Sequence, residues 1–185
     1  PYLHIRKDKR EKKRLAEYGL TEEKKELLKT SVQKGESILF SGPSLKKVLG
    51  FMNSLMEEIP QEYETGILQD CEDLFSNSRN LITLQLLHDN TGKMKMAEQI
   101  RSIAVNTDIV MTNQINQQDI GFIMEELSVG RTLWLPVLSE NKKDAEEILK
   151  DMLTYEKKYS ENRIARFLTR FRMIIFGDAE GNAHI

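Results

Sequence analysis

Between Ser44 and Pro60, the apolar residues Leu45, Val48, Leu49, Met52, Leu55, Met56 and Ile59 recur at steps of three and four. That spacing is one face of an α-helix, and Pro60 supplies its stop. Similar patterns predict helices along most of the chain. "EEKKELLKTSVQK" follows Thr21 as an N-cap, with Glu22 and Glu23 in the first turn, and is ended by Gly35. Residues 62–75, "RNLITLQLLHD", residues 93–110 and "IGFIMEELSVG" read as further helices, the last closed by Gly130. Ser139 and Ser160 each begin a Ser-Glu-Asn tripeptide and are read as caps of two more.

Strand signals are confined to short pieces near 38–40, 132–138 and 173–176, and Pro136 keeps "RTLWLPVL" from continuing as helix. The pattern therefore predicts an all-α fold, a single compact bundle of about eight helices. A short α-solenoid of antiparallel helix pairs is the alternative. Residues 1–19 are read as a charged terminal helix, 20–177 as the helical domain and 178–185 as a flexible tail. Trp134 and the spaced methionines are expected in the core.

The composition suits an ordered, helix-rich protein: 30% charged, 39% hydrophobic, four Pro and ten Gly in 185 residues. No apolar run approaches the roughly 20 residues that span a bilayer, so no membrane insertion is expected. With Cys71 as its only cysteine, the chain has no disulfide framework, and cytoplasm or nucleus is the expected location. It begins at Pro1 rather than Met, and is read as a segment of something larger.

Motif chemistry is sparse. His4, His88 and His184 are far apart, and no metal-ligand spacing occurs; Asp70 and Asp73, one helical turn apart on the helical reading, are the remaining acidic candidates for a hard cation. The two Ser-x-x-Lys matches, beginning at Ser44 and Ser139, lack accompanying elements. "SGPSLKK" and "NTGKMK" place glycine near lysine, but neither fits Gly-x-x-x-x-Gly-Lys-Ser/Thr, and the helical reading gives them no strand-loop-helix setting. No cofactor and no catalytic residue are expected.

Charge is what remains. The net charge is −2, yet "IRKDKREKKRL" carries Arg6, Lys7, Arg10, Lys13 and Arg14 among its bases, while residues 57–73 hold seven acids and no base. A helix after Ser160 would line up Arg163, Arg166 and Arg170 beside an apolar stripe that includes Phe167, with Arg172 following. Planar guanidinium forks suit phosphates and carboxylates. These residues point to a non-catalytic helical interaction, regulatory or scaffold domain that binds another protein through this charged surface. The alternative is RNA or single-stranded nucleic-acid binding, with the N-terminal run as a phosphate-contacting arm. A third class is an enzyme with dispersed acidic metal ligands.

Overall fold

The three short strand signals turn out to be neighbours. In the computed structural model, which describes residues 13–70, 73–76, 80–85, 96–115, 117, 119–155 and 159–185, strand β1 (Ile38–Gly42) lies parallel between β5 (Thr132–Leu138) and β6 (Met173–Gly177). Ile38 is opposite Trp134 on one side and Met173 on the other. Strands β2 (Thr65–Gln69), β3 (Leu81–Gln85) and β4 (Ile109–Thr112) continue the parallel sheet, and β7 (Ala183–His184) pairs antiparallel with β6. The seven strands run in the order β3-β2-β4-β5-β1-β6-β7.

The expected all-α bundle, and the solenoid alternative with it, are thus corrected to an α/β fold. Parallel strands covered on both faces need apolar side chains at every position, so they lack the alternation that marks a half-exposed strand. All residues of β1, β2 and β4 are buried. "GILQ" and "DIVMT" therefore blended into the neighbouring helical patterns.

Helices fill both faces of the sheet. Beside α1 (Glu22–Gln33) and α2 (Leu45–Leu55), the first face joins Leu28, Val32, Met52 and Leu55 to Ile38, Phe40, Ile67, Met111, Trp134 and Ile175. The second face carries α3 (Met96–Ala104), α4 (Ile120–Ser128), α5 (Lys142–Tyr155) and α6 (Glu161–Leu168). There Ile100, Ile123, Leu149 and Phe167 meet Leu39, Leu68, Val110, Leu133 and Leu135. Alternate residues of one strand thus serve opposite cores, as the pleat requires. Trp134 is fully buried against Phe40, ring centroids 5.4 Å apart.

Local punctuation explains the ends. Thr21 caps α1 by accepting from the Lys24 N–H, and Gly130 ends α4 at φ 92°. The start of α5 is capped by Asn141, whose Oδ1 accepts from the Asp144 N–H, while Asp144 accepts from the Glu140 N–H. Ser139, expected to be that cap, belongs instead to the end of β5, where its N–H donates to the Gly42 carbonyl. A 3-10 turn at Leu15–Tyr18 closes on Gly19, φ 68°; residues 1–12 of the expected terminal helix lie outside the described residues. No helix among the described residues is long and apolar enough to cross a membrane.

Candidate functional site

The order of strands selects one place. From β1 the chain passes along α2 to β2, beyond β5 and β4; from β5 it passes by α5 and α6 to β6, on the far side of β1. The two connections leave adjacent strands in opposite directions and cover opposite faces. In open α/β sheets that switch point, at the carboxyl ends of the strands, is where a crevice for ligands forms. Here it lies at Gly42, Ser139 and the start of α2.

The chain turns there with little material. Only Pro43 and Ser44 separate β1 from α2. Gly42 has no alternative residue available: a β-carbon would sit 2.6 Å from the Gly177 carbonyl oxygen and 3.1 Å from a Val48 methyl. Ser44 occupies the N-cap position of α2 with extended backbone, φ −136°, but its hydroxyl makes no capping bond. The amides of Lys47 and Val48 both donate to the Ser44 carbonyl. Lys47 Nζ donates to the carbonyl of Ala179, in the turn between β6 and β7. Ser139 Oγ and Thr112 Oγ1, at the ends of β5 and β4, are buried and make no hydrogen bond to the described residues.

A strand-loop-helix setting for "SGPSLKK" therefore exists, contrary to the sequence reading, but it does not fit a nucleoside triphosphate with Mg²⁺. A phosphate-cradling loop needs four residues between its two glycines, then Lys and a Ser or Thr hydroxyl for the metal. Counted from Gly42, that spacing puts Lys47 in the second glycine's place, the buried Val48 in the lysine's and Leu49 in the hydroxyl's. The turn is too short to wrap its amides around phosphates, and its lysine already has an acceptor.

Farther along the same edge is a polar cluster. Asn113 Nδ2 donates to Asp70 Oδ1 at 2.6 Å and approaches Asp73 Oδ2 at 3.4 Å. Gln69 grips Leu74 through both its N–H and its carbonyl, and Asn53 on α2 bonds Asp73 O and Phe75 N. Asp70 and Asp73 are thus brought together, as the end of β2 and the loop after it rather than as one helix face. Among the described residues no group of three His, Cys, Asp or Glu could hold a metal.

The arginines are placed elsewhere. Arg163, Arg166, Arg170 and Arg172 are exposed, and α6 ends at Leu168, so only the first two lie on it. Arg163 stacks over Tyr159, 5.0 Å from the ring centroid, and Arg172 reaches Glu36 at 3.6 Å. The Arg172 N–H donates to Ser37 O just before β1, which puts this end of the stripe at the amino edge of the sheet, opposite the switch point. Phe167 is in the core, edge-on to Phe171 at 5.5 Å. Lys13 and Arg14 line a groove with Lys25, Lys29, Glu57 and Glu58; Arg6, Lys7 and Arg10 lie outside the described residues.

No protein-family model and no curated protein sequence matches the chain. Solved structures do. The VirB11 ATPase of the Brucella suis type IV secretion system, in complex with sulphate, superposes with a TM-score of 0.73 at 16% identity, covering 83% of this chain and 46% of that one. The Legionella pneumophila ATPase DotB gives 0.66 at 12% over 92% of this chain and 48% of its own. The pilus retraction motor PilT with bound ADP gives 0.66 at 15% over 90% and 48%. The chain spans about half the length of these proteins. The helical interaction or scaffold domain falls with the all-α fold, and neither the nucleic-acid nor the dispersed-metal alternative is favoured. At such identities the likeness establishes one thing: the chain has the α/β fold of secretion and pilus ATPases.

Proposed function

We propose that the chain is an ATPase-like α/β domain of the secretion- and pilus-motor type, altered at its switch point so that it turns over no nucleoside triphosphate there. The observation that carries this reading is the connection from β1 to α2, cut to Pro43 and Ser44, with Lys47, Val48 and Leu49 standing where a phosphate loop would place glycine, lysine and a hydroxyl. Phosphoryl transfer is catalysed almost wholly by positioning and by donors aimed at the phosphates. Losing one such donor costs about 10²–10³ in rate in enzymes that stabilise an oxyanion; here the wrapped loop and the metal-binding hydroxyl are both missing.

Two of the similar structures contain anions of the relevant kind, sulphate in one and ADP in another. The fold is thus suited to phosphate chemistry, and the departure lies in this chain's own turn. Its contribution to a motor-type assembly would come from the domain's shape and contacts, with nucleotide turnover supplied by other subunits. Steady-state phosphate release from MgATP tests this. The expected result is release at the background rate, equal in wild type and Lys47→Ala. Turnover that Lys47→Ala abolishes would overturn the proposal.

A further inference from the structure

The amino edge of the sheet, on the side away from the switch point, sorts charge by strand. Strands β1 to β6 run parallel, so the residue before each of them lies on this edge. In sheet order these residues are Asn80 before β3, Glu64 before β2, Asp108 before β4, Arg131 before β5, Ser37 before β1 and Arg172 before β6. Acids thus stand on two neighbouring strands, and bases take over from β5 onward. The connecting segments extend each half, with Glu62 on the acidic side and Lys34 and Arg170 on the basic side. All of these charged residues are exposed.

Little of that charge is spent locally. Asp108 is oriented by Glu64, accepting from its N–H at Oδ2 at 2.8 Å and donating its own N–H to the Glu64 carbonyl at 2.7 Å. Neither Glu62, Glu64 nor Asp108 forms an ion pair among the described residues. Arg131 reaches Glu126 at 3.9 Å, but Arg101 meets the same carboxylate at 3.5 Å, so one acid answers two guanidiniums. Arg172 meets Glu36 at 3.6 Å. An apolar centre lies between the halves. Val105 follows α3 three residues before Asp108, Val129 follows α4 two residues before Arg131, and they are 63% and 73% exposed. Because β4 and β5 are adjacent, the two valines flank the line where acid gives way to base.

We infer that this edge is a docking surface for a second copy of the chain, joined about a two-fold axis that runs along the sheet normal between β4 and β5. Such an axis reverses the strand direction and exchanges the places of β4 and β5. Asp108 of each copy then meets Arg131 of the other, and Val105 of each meets Val129 of the other. The same patch serves both subunits, as an isologous interface requires, and an apolar centre rimmed by polar groups is the usual anatomy of such contacts. A two-fold axis along the edge itself would set acid on acid and base on base. The occupant follows from this complementarity, since a partner must present acid, apolar centre and base in reverse order, and a second copy turned over does so. The inference goes beyond the functional reading, uses the edge opposite the switch point, and does not depend on nucleotide chemistry.

The test is sedimentation equilibrium of the whole chain from micromolar to submillimolar concentration at low salt, with a melting curve for each variant. Wild type is expected to approach twice the monomer mass. Val129→Glu, Arg131→Glu and Asp108→Arg should each weaken self-association at least about tenfold, because each sets a charge on an apolar group or on its like. Salt at about 1 M, where the Debye length is about 3 Å, should weaken the wild-type dimer. Mixed in equal amounts, the Arg131→Glu and Asp108→Arg chains are expected to pair with each other, since both cross-contacts then join opposite charges. Three results each overturn the inference: a wild type that is monomeric throughout, a dimer left intact by both Val129→Glu and Arg131→Glu, or folded Arg131→Glu and Asp108→Arg chains that stay monomeric when mixed. If Asp108→Arg does not fold, having lost the bond to the Glu64 N–H, the first two results still decide. None of them bears on MgATP turnover, so this inference and the functional reading fail separately.

Discussion

The carboxyl end of β1 and the carboxyl ends of β2 and β4 lie on the same edge of the sheet and are held by opposite means. At β1 the chain is closed by backbone proximity: Gly42 against Gly177, Pro43 and Ser44 as the whole connection, and one lysine on a carbonyl. At β2 and β4 it is held by side chains, with Gln69 and Asn53 each making two bonds to the loop at 73–75 and Asn113 bridging Asp70 and Asp73. A turn made of backbone leaves nothing for a ligand to rearrange. A polar network does, and its cost lies in keeping every buried group satisfied.

The largest effect expected from this contrast is at Gly42. Gly42→Val puts a β-carbon 2.6 Å from a backbone oxygen, so β1 and β6 must part; a loss of about 3 kcal/mol is expected, at the upper end for overpacking, read from the urea midpoint. In the other region, Gln69→Leu keeps the volume but strands the N–H and carbonyl of Leu74, a residue 2% exposed. About 2 kcal/mol should be lost in the same assay. Equal and negligible losses in the two variants would erase the distinction between the regions.

Acid should act on the β6–β7 hairpin rather than on either strand end. The hydrogen bond with His184 is the main reason the Asp178 carboxyl lies well below its usual range; desolvation opposes this, and donors from Asn182 and Gly181 add to it. A carboxylate with a depressed folded value supports structure above its unfolded value of about 4 and loses that support as pH falls below it. Amide exchange at 178–184, corrected for intrinsic rate, should therefore rise below about pH 4 while β1 stays protected. The smallest effect is expected at Arg166→Ala, an exposed residue on α6 far from both regions, within about 0.5 kcal/mol of wild type.

Much of the helical content was legible from the residues. The cap at Thr21 and the stop at Gly130 each act within one helix and are found where expected, while the apolar face expected from Leu45 to Ile59 leaves the α-helix at Leu55 for a 3-10 turn over Met56–Glu58. The strands were not legible as a sheet, since β1 pairs with residues about a hundred positions away in β5 and farther still in β6, and its own five residues show no alternation. For "TGILQ" and "IVMT", burial on both faces erased the period that separates strand from helix. The switch point shows the same limit: "SGPSLKK" drew notice for its glycine and lysine, but its setting follows from strand order, which no local pattern reports. Ser139 looked like a helix cap because a hydroxyl before Glu and Asn fits that role, yet Asn141 is two residues nearer the helix and its shorter reach to Asp144 prevails. The arginine stripe was drawn on a helix longer than α6, which ends at Leu168 before a turn into β6.

The most direct measurement is a titration of the isotope-labelled chain with MgATP, following the backbone amides of Gly42 and of Ser44 to Val48. A closed turn predicts that these signals do not move in a saturable way at millimolar nucleotide. Saturable shifts centred on Gly42, Ser44 and Lys47, lost in Lys47→Ala, would show a working phosphate site and contradict the account.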